Sequence, residues 1–412
     1  MAQNGMAAPL RRNKAVLSKL ADEAKTQFLV SARAMPTDGF KDVDAMTICK
    51  VSLPRPTKPG PDIERAEADE AEEQEYIEKT IASIPIEDPE MVYSHLFQVN
   101  ACYQAMAPNN KVIIFTDDMN VKKAFYALVY NSVRTGLVAD TKTYTINGVL
   151  SATDFIMVLM KLWRFREAIR NVKGDGLSQE EVERTDITNM PISNWREQLK
   201  KDGRFKKFQT TDAQESLYAA TARLAESRIH RLPVFNDGEC MFIITHRRLL
   251  HFIWAHAALL PKPEFLRERV RDLGVGTWGD VKYVTDDTPL IETLDVLINN
   301  GFSGVPVVEE DTLRVTNVYS RFDAISVAFG DAVIDFSIST KEAIQRHKNL
   351  TEKVGGVVTV NEGISMWNLL ETFVQMNVYR VFAVDHNLRL KGLISLSDVI
   401  NFMVLRPRCV DV

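Results

Sequence analysis

A short sequence pattern occurs four times along the chain and constrains its fold more than any other feature. Each copy consists of a polar or basic residue, an apolar run, a turn, a second apolar run, and Ser/Thr-x-x-Asp/Arg opening an amphipathic stretch. The copies begin near residues 131, 227, 300 and 377. Two short apolar runs joined by a turn predict a β-hairpin, and the amphipathic stretch predicts a helix. Four copies therefore indicate four similar structural units.

An amphipathic segment also precedes each copy. These segments lie at residues 121–129, 215–225, 290–298 and 365–374. We predict that one repeat runs helix, strand, strand, helix over about fifty to sixty residues. Val112–Phe115 is a further strand candidate ahead of the first repeat. We expect the first repeat to pair with the second and the third with the fourth. The positions taken as equivalent are Arg134, Arg231, Gly304 and Arg380.

Composition limits the classes of partner. The chain has 412 residues, 45% of them apolar, so it can bury substantial cores. Its net charge of -5 argues against a general nucleic-acid-binding surface, and its longest apolar runs are too short to cross a membrane. Four scattered cysteines without a CxxC pair fit a reducing compartment. We therefore expect a soluble intracellular protein that binds neither nucleic acid nor membranes.

The first 86 residues differ from the rest. Residues 1 to about 60 lack sustained periodicity, and residues 62–75 form an acidic, Ala-rich run that fits a solvated linker or surface helix. We predict a flexible N-terminal tail over residues 1–86. A polar connector around residues 171–183 is expected between the first two repeats, where an insertion is tolerated.

The Ser/Thr-x-x-Asp phrase has two interpretations. In one it is a helix cap, with the hydroxyl accepting from a first-turn amide and the acid at the positive end of the helix. In the other it belongs to a nucleotide site, because a helix start binds phosphate, an acid accepts from ribose hydroxyls, and a guanidinium holds phosphate. Asp154, Asp323 and Asp398 hold the same place in copies one, three and four. This recurrence favours the nucleotide interpretation.

The repeats resemble cystathionine-β-synthase (CBS) domains. Phrases such as Val121–Val129, Ile229–Val234, Ile244–Leu250 and Ile394–Val399 follow one another as in the gamma regulatory subunits of AMP-activated protein kinase. The resemblance implies a mixed α+β, α/β fold of four CBS repeats, arranged as two paired modules in a pseudo-symmetric disc. The implied units are CBS 1 at 87–165, a connector with CBS 2 at 166–260, CBS 3 at 261–335, CBS 4 at 336–405, and a C-terminal tail at 406–412.

The resemblance also implies nucleotide-binding residues by position. The implied ribose acids are Asp154, Asp323 and Asp398. The implied phosphate contacts are Arg134, His230, Arg231, Arg247 and Arg380. The smaller polar contacts are Ser151, Thr153, Thr245, Thr277, Ser303 and Ser395. The second repeat has Arg248 in place of the acid, which matches a site that the family usually leaves unoccupied, because a guanidinium cannot accept hydrogen bonds.

A member of this family is a non-catalytic regulatory subunit. The resemblance implies that the chain binds AMP, ADP and ATP competitively and controls a Ser/Thr kinase in a heterotrimer with a catalytic alpha subunit and a beta scaffold subunit. It implies a cytoplasmic protein that could also enter the nucleus. The sequence contains no P-loop and no kinase HRD or DFG motif, so we expect the kinase activity in a partner. No catalytic residue and no catalytic cofactor are expected.

Two further motifs do not indicate a dinucleotide site or a metal site. Gly274–Gly279 matches GxGxxG, but no predicted strand precedes it and no helix start follows it, so we interpret it as a loop lining a CBS cleft with Thr277 inward. His246, His251 and His256 are spaced five apart, which turns each away from the next on a helix. We therefore expect no metal site.

The sequence departs from the family at two places. Tyr379 stands where the family usually has a histidine, and an arginine usual in the family falls near Leu350, with Arg346 and Lys348 displaced. Each lost charge-assisted hydrogen bond costs about 1.5–3 kcal/mol. We hypothesise that nucleotide binds at fewer sites or less tightly than is usual. The alternative is a divergent gamma-like scaffold with reduced or lost nucleotide sensing.

Overall fold

The computed structural model describes residues 46–52, 88–107, 109–131, 133–173, 189–324, 335–350 and 357–406. The acidic run at 62–75, nearly all of the predicted N-terminal tail and residues 407–412 lie outside this range. Most of the predicted polar connector between the first two repeats does so as well. Within the predicted tail, residues 46–52 form a strand that the sequence analysis did not predict.

Four small mixed sheets organise the described residues. The strands are β1 (Met46–Ser52), β2 (Asn109–Thr116), β3 (Thr135–Ala139), β4 (Ile146–Ser151), β5 (Thr211–Asp212), β6 (Arg231–Asn236), β7 (Glu239–Thr245), β8 (Thr277–Trp278), β9 (Val284–Thr285), β10 (Gly304–Val308), β11 (Val315–Ser320), β12 (Thr359–Asn361), β13 (Arg380–Val384) and β14 (Leu390–Ser395). The sheets have the orders β1-β2-β3-β4, β5-β6-β7, β9-β10-β11 and β12-β13-β14-β8. Every repeat thus has its own hairpin, and a further strand runs parallel to the first strand of that hairpin.

The helices precede and follow these hairpins. They are α1 (Val92–Val99), α2 (Val121–Tyr130), α3 (Ala152–Lys173), α4 (Ile192–Lys201), α5 (Leu217–Glu226), α6 (His246–His256), α7 (Leu290–Asn299), α8 (Thr340–Leu350), α9 (Met366–Met376) and α10 (Leu396–Leu405). The predicted order of helix, strand, strand, helix is confirmed in repeats one, two and four. In repeat three the second helix would fall on residues 325–334, outside the described residues.

Polar side chains start most of these helices. Asn120, Ser216 and Ser365 each accept a hydrogen bond from the backbone N–H three residues on, at 3.0, 3.2 and 3.4 Å. Thr245 and Ser395 do the same after the hairpins. A side-chain oxygen at this position satisfies an amide that the helix itself leaves unpaired. Each cap therefore fixes where the chain leaves the preceding strand or loop.

The hairpin register corrects the equivalence taken from the sequence. The first paired residues are Thr135 with Ser151, Arg231 with Thr245, Gly304 with Ser320, and Arg380 with Ser395. Each hairpin has a register shift after the fourth residue of its first strand, which supports this alignment. Thr135 is therefore the equivalent of Arg231, Gly304 and Arg380, and Arg134 corresponds to the preceding residues His230, Ser303 and Tyr379. The sequence alignment was wrong by one residue in the first repeat.

The four repeats form a closed ring in the order one, two, four, three. Strand β2 of repeat one lies beside β7 of repeat two. Helices α5 and α6 of repeat two pack against α10 of repeat four. The β-hairpin loops of repeats three and four are joined by backbone bonds of Val315 to Leu388 and of Leu390 to Leu313. Helix α7 of repeat three packs against α3 of repeat one, which completes the ring.

Each of the two hydrophobic cores joins repeats that were not expected to pair. One core joins repeats two and four, and the other joins repeats one and three. The helices that lead into repeats one and two pack in the core of the other repeat: α1 packs with repeats two and four, whereas α4, with buried Trp195, packs with repeats one and three. The described segment that begins at residue 88 meets the last described segment at the salt bridge between Glu90 and Arg406, 3.0 Å long.

Candidate functional site

The hairpins and helix starts bring a group of basic side chains together where the four repeats meet. This central basic cluster consists of Arg134, His230, Arg231, His246, Arg247, Arg321 and Arg380. Arg231 lies close enough to Arg134 and Arg247 to feel their charges, and Arg380 feels those of Arg134 and Arg321. Each repeat contributes at least one arginine. The structure thus brings together all five basic residues that the sequence analysis proposed for phosphate.

Tyr379 lies within this cluster. The guanidinium carbon of Arg247 is 4.0 Å from the centre of its ring, and that of Arg134 is 4.7 Å away. Arg134 also lies 4.9 Å from the ring centre of Phe322, next to Asp323. Nη2 of Arg247 donates to the carbonyl of Asn377 at 2.8 Å. Cation–π contacts and this hydrogen bond therefore orient two arginines from different repeats.

Arg380 reaches across to the third repeat. Its Nη2 donates to Oγ of Ser303 at 2.6 Å. The guanidinium passes over Gly304, where a β-carbon would collide with it. Ser303 and Arg380, two residues proposed from the sequence, are thus in direct contact.

Arg321 is a functional candidate that sequence reasoning missed. Its Nη1 donates to Oγ1 of Thr153 at 3.0 Å and its Nη2 to the carbonyl of Leu297 at 2.9 Å, so it links repeats one and three. Its charge is felt at His230 and at Arg380. The signal was available in Ser320-Arg-Phe-Asp323, where Arg321 occupies the first variable position of the repeated phrase.

Burial lowers the pKa of the clustered arginines. The pKa of Arg231 falls to about 10, because of desolvation and then the charge of Arg134. The pKa values of Arg321 and Arg380 also fall to about 10 through desolvation, opposed by Asp154 and Asp323 respectively. All three guanidinium groups stay protonated at neutral pH, and their positive charge is incompletely compensated.

Two histidines complete the cluster. The rings of His230 and His246 are 5.7 Å apart, and burial lowers the pKa of both to about 4. Arg231 adds to the effect on each of them. His230 keeps an exposed edge, whereas His246 is only 6% exposed. Both are therefore neutral near pH 7 and able to act as hydrogen-bond donors without a charge.

The three acids form helix caps, as the structural interpretation of the phrase predicted. Oδ2 of Asp154 accepts from the backbone N–H of Ser151 at 2.8 Å, and Oδ2 of Asp398 accepts from that of Ser395 at 2.8 Å. Asp323 accepts from Ser320 N–H at 2.7 Å. In each case Oδ2 is the oxygen that makes the cap.

Burial raises the pKa of Asp154 above its usual value, and its hydrogen bonds from Ser151 oppose the shift. The positive groups near it are Arg196 and Arg321, both of which feel its charge. Arg196 is held by the side chain and carbonyl of Asn147. Asp154 is therefore a half-buried carboxylate whose charge an approaching hydroxyl would help to satisfy.

The remaining proposed residues occupy strand and helix ends. Thr245 is the cap of α6 and pairs across the hairpin with Arg231. Thr277 is exposed in the two-residue strand β8, beside Leu393 of β14, so it lies two residues from Ser395 along the sheet of repeat four. Arg248 donates from Nη1 to the carbonyl of Ala105 at 3.1 Å. In repeat two the guanidinium is thus used within the fold.

Several polar atoms of the cluster lack a partner within the described part of the chain. Nε2 of His246, Nε of Arg247 and Nε of Arg321 are buried without a hydrogen bond. None of the five clustered arginines forms a salt bridge with a carboxylate among the described residues. Buried donors without acceptors are costly unless a ligand pairs with them. The arrangement is suited to holding an anion with several acceptor oxygens.

Other classes of site lack support in the described ranges. No group of three or more His, Cys, Asp or Glu side chains is placed there to hold a metal ion. No described helix combines the length and apolar character that a membrane crossing requires. Arg346, one of the two basic residues displaced from Leu350, pairs with Glu342 on α8 at 2.8 Å.

Comparison with known proteins identifies the third and fourth repeats by family. Residues 270–330 and 354–405 match the CBS domain family. The 5'-AMP-activated protein kinase subunit gamma-3 of Sus scrofa is 34% identical over 322 residues, which are 78% of this chain and 59% of that protein. The Homo sapiens gamma-3 subunit is also 34% identical over 322 residues, or 78% of this chain and 62% of that protein. The chain is a CBS-domain homologue of these gamma subunits.

The gamma-subunit homologue also shares its fold with a solved structure. A protein of Methanocaldococcus jannaschii, a proposed archaeal homologue of the kinase gamma subunit, superposes with a TM-score of 0.56 at 18% identity. The match covers 74% of this chain and 99% of the archaeal chain. The predicted fold of four CBS repeats is thereby confirmed. The homologue spans only 59% to 62% of the length of the curated relatives named above.

Proposed function

We propose that this gamma-subunit homologue is a non-catalytic regulatory subunit that binds AMP, ADP and ATP competitively. Its partners are the catalytic alpha and scaffold beta subunits of an AMP-activated Ser/Thr kinase. It acts in the cytoplasm and could also enter the nucleus. The gamma-3 relatives, which are named as subunits of that kinase, support this assignment.

The observation that carries the proposal is the convergence of arginines from all four repeats. Arg134, Arg231, Arg247, Arg321 and Arg380 meet without a salt bridge to a carboxylate in the described residues. A cluster of like charges is unfavourable on its own, and a polyanion would relieve the repulsion. Phosphate oxygens match the planar, two-pronged donors of guanidinium groups.

The carboxylates supply the second half of the proposed contacts. Asp154, Asp323 and Asp398 each stand at the end of a hairpin, within a phrase whose serine amide they already cap. We assign the carboxylate of each to the ribose hydroxyls, with the phosphates extending toward the basic cluster. The polar groups Ser151, Thr153, Thr245, Thr277, Ser303, Ser395 and His230 are proposed as further contacts.

Binding is tested by isothermal titration of the nucleotide-stripped chain with AMP and then ATP. Micromolar binding and mutual competition are expected. Arg231→Ala should weaken AMP binding by about tenfold or more, the cost of one charge-assisted hydrogen bond. Arg267→Ala is the matched control, because Arg267 is an exposed arginine outside the cluster. Equal losses in both variants would contradict the proposed site.

Regulation is tested in the assembled kinase. A ligand shifts a conformational equilibrium only through different affinities for its two states, so AMP and ATP must favour different states. The chain is co-purified with kinase alpha and beta subunits, and phosphorylation of a peptide is measured with AMP or ATP added at constant magnesium. Different activities are expected. Identical activities in a complex that binds both nucleotides would rule out sensing.

The second candidate is a scaffold subunit with reduced or lost nucleotide sensing. Two observations favour it: Tyr379 adds no cation at the centre, and Arg346 is engaged with Glu342. This candidate predicts stable assembly with alpha and beta subunits but no heat of AMP binding by the folded chain.

We also propose the domain boundaries that the resemblance implies. Limited proteolysis should cut the chain at these boundaries.

A further inference from the structure

Tyr379 stands at one of four equivalent positions that face the ring centre. By hairpin register its counterparts are Arg134, His230 and Ser303, each one residue before the first paired residue of its repeat. These three positions hold a guanidinium, an imidazole and a hydroxyl group. The fourth holds the phenol ring of Tyr379, which is the largest ring of the four positions and is not a cation.

The ring is fixed from several directions. The backbone carbonyl of Tyr379 accepts from the N–H of Leu396 at 3.0 Å, at the start of α10. Arg247 contacts the ring and also binds the carbonyl of Asn377, two residues before it. Arg134 contacts the ring from repeat one. A ring held by its own backbone and by two cations does not move aside without losing these contacts.

The guanidinium carbons of Arg134 and Arg247 lie 4.7 and 4.0 Å from the ring centre, and Nε of Arg247 is buried without a hydrogen bond, so this N–H can donate to a phosphate. Arg231 and Arg380 also lie close to Tyr379, so the phenol lies among four guanidinium groups. The volume between these groups is where a phosphate chain extending inward would place its outer phosphates. The phenol already occupies part of that volume and adds no positive charge to it.

We propose that Tyr379 is a specificity-determining residue that limits the length of the phosphate chain accepted by the central basic cluster, favouring a nucleoside monophosphate over a triphosphate. The inference rests on the proposed nucleotide binding and names the residue that selects among its ligands. Removing the ring should open room for outer phosphates next to four arginines. Losing only the hydroxyl should change the selection little.

The test compares three variants by titration with AMP and with ATP in magnesium-free buffer. Tyr379→Ala removes the ring, Tyr379→Leu keeps most of the volume without the aromatic face, and Tyr379→Phe removes only the hydroxyl. The ratio of ATP affinity to AMP affinity should rise by about tenfold in the alanine variant, as for one additional charge-assisted contact. It should stay within about twofold of the wild type in the other two. Inorganic phosphate and tripolyphosphate should reproduce the pattern without a nucleoside.

The outcomes distinguish a wrong role for Tyr379 from an absence of nucleotide binding. If the wild type binds AMP and the alanine variant keeps the wild-type ratio, the role of Tyr379 is overturned and nucleotide binding stands. An equal loss of both ligands in the alanine variant would likewise overturn it, since Tyr379 would then only position arginines. If neither folded protein binds AMP, the proposed function fails and the inference fails with it. Should the alanine variant not fold, Tyr379→Val serves instead, with an intermediate rise in the ratio required.

Discussion

The guanidinium of Arg380 lies over Gly304, in the space that a β-carbon on residue 304 would occupy. Arg380 belongs to repeat four and Gly304 to repeat three, so an absent side chain in one repeat determines where an arginine of another can lie. The neighbouring Ser303 accepts the hydrogen bond that holds the arginine in place. The absence of a side chain at residue 304 therefore makes room for Arg380 in the proposed site.

Gly304→Ala is expected to displace Arg380 and weaken AMP binding by about tenfold or more, because one charge-assisted phosphate contact is lost. Stability should change by only about 1 kcal/mol or less, since the colliding atoms are the end of a flexible side chain. Titration and denaturant unfolding measure the two effects. In the double variant with Arg380→Ala the glycine substitution should have little further effect on affinity. Additive losses would show that it acts elsewhere.

The histidine pair predicts loss of stability in mild acid. The pKa of His230 and His246 is lowered to about 4 in the folded protein. The unfolded chain takes up these protons near pH 6.5, so stability is fully present above that pH and declines as pH falls toward 4. The loss is at most about 1.4 kcal/mol per pH unit for each histidine, and less for His230, which is exposed.

Denaturant unfolding at pH 7, 6 and 5 measures this slope. His246→Gln removes one titrating group beside His230 and Arg231 and should flatten the curve. His386→Gln is the matched control, because that histidine lies on the exposed turn between β13 and β14. A wild-type stability that rises between pH 7 and pH 5, or an unchanged slope in His246→Gln, would contradict the assignment.

Asp154→Asn is expected to separate stability from binding. Burial raises the pKa of Asp154, so its charged form is disfavoured in the folded state, and stability from this group increases as pH falls through the raised pKa. The neutral amide can still accept from Ser151, so stability at pH 7 should stay the same or increase. AMP affinity should fall by about fivefold or more, because an amide is a weaker acceptor for ribose hydroxyls than a carboxylate. Calorimetric melting and titration measure both; a lower melting temperature with unchanged affinity would contradict the prediction.

Arg248 is expected to affect stability without changing the number of bound nucleotides. Arg248→Met keeps the aliphatic length and removes the hydrogen bond to the Ala105 carbonyl. The expected cost is about 0.5–1.5 kcal/mol. The stoichiometry of AMP titration should equal that of the wild type. A change in stoichiometry would show that repeat two contributes a site.

Much of the fold could be predicted because the repeated phrase combines two periodicities in a fixed order. Helices such as Val121–Tyr130 and strands such as β13 are long enough to show their apolar pattern. The short strands β5, β8 and β9 have two residues each, too few to show any period. Their place is decided by pairing with distant hairpins, as when Trp278 pairs with Gly392. The pairing of repeat two with four and of repeat one with three in the two cores also depends on packing between distant parts of the chain.

The candidate site could be predicted as a set of residue types but only in part as a geometry. The sequence located Arg134 and Arg380, yet the repeat alignment of Arg134 was wrong by one position because two polar residues precede the apolar run in that copy. Arg321 was missed because its partners, Thr153 and Leu297, lie far away along the chain. Tyr379 was interpreted only as a lost histidine, because its contacts with Arg134 and Arg247 depend on the closure of the ring.

The salt bridge between Glu90 and Arg406 has a consequence for how the chain could be rearranged. It brings the helical turn that precedes α1 next to the end of α10, so residues 90 and 406 are neighbours in the folded ring. A circularly permuted chain without β1 that joins Arg406 to Asp88 by a short linker, with new termini at Lys173 and Asn189, should close the same ring of four repeats. A folded product would show that the ring also closes when the chain is opened between repeats one and two.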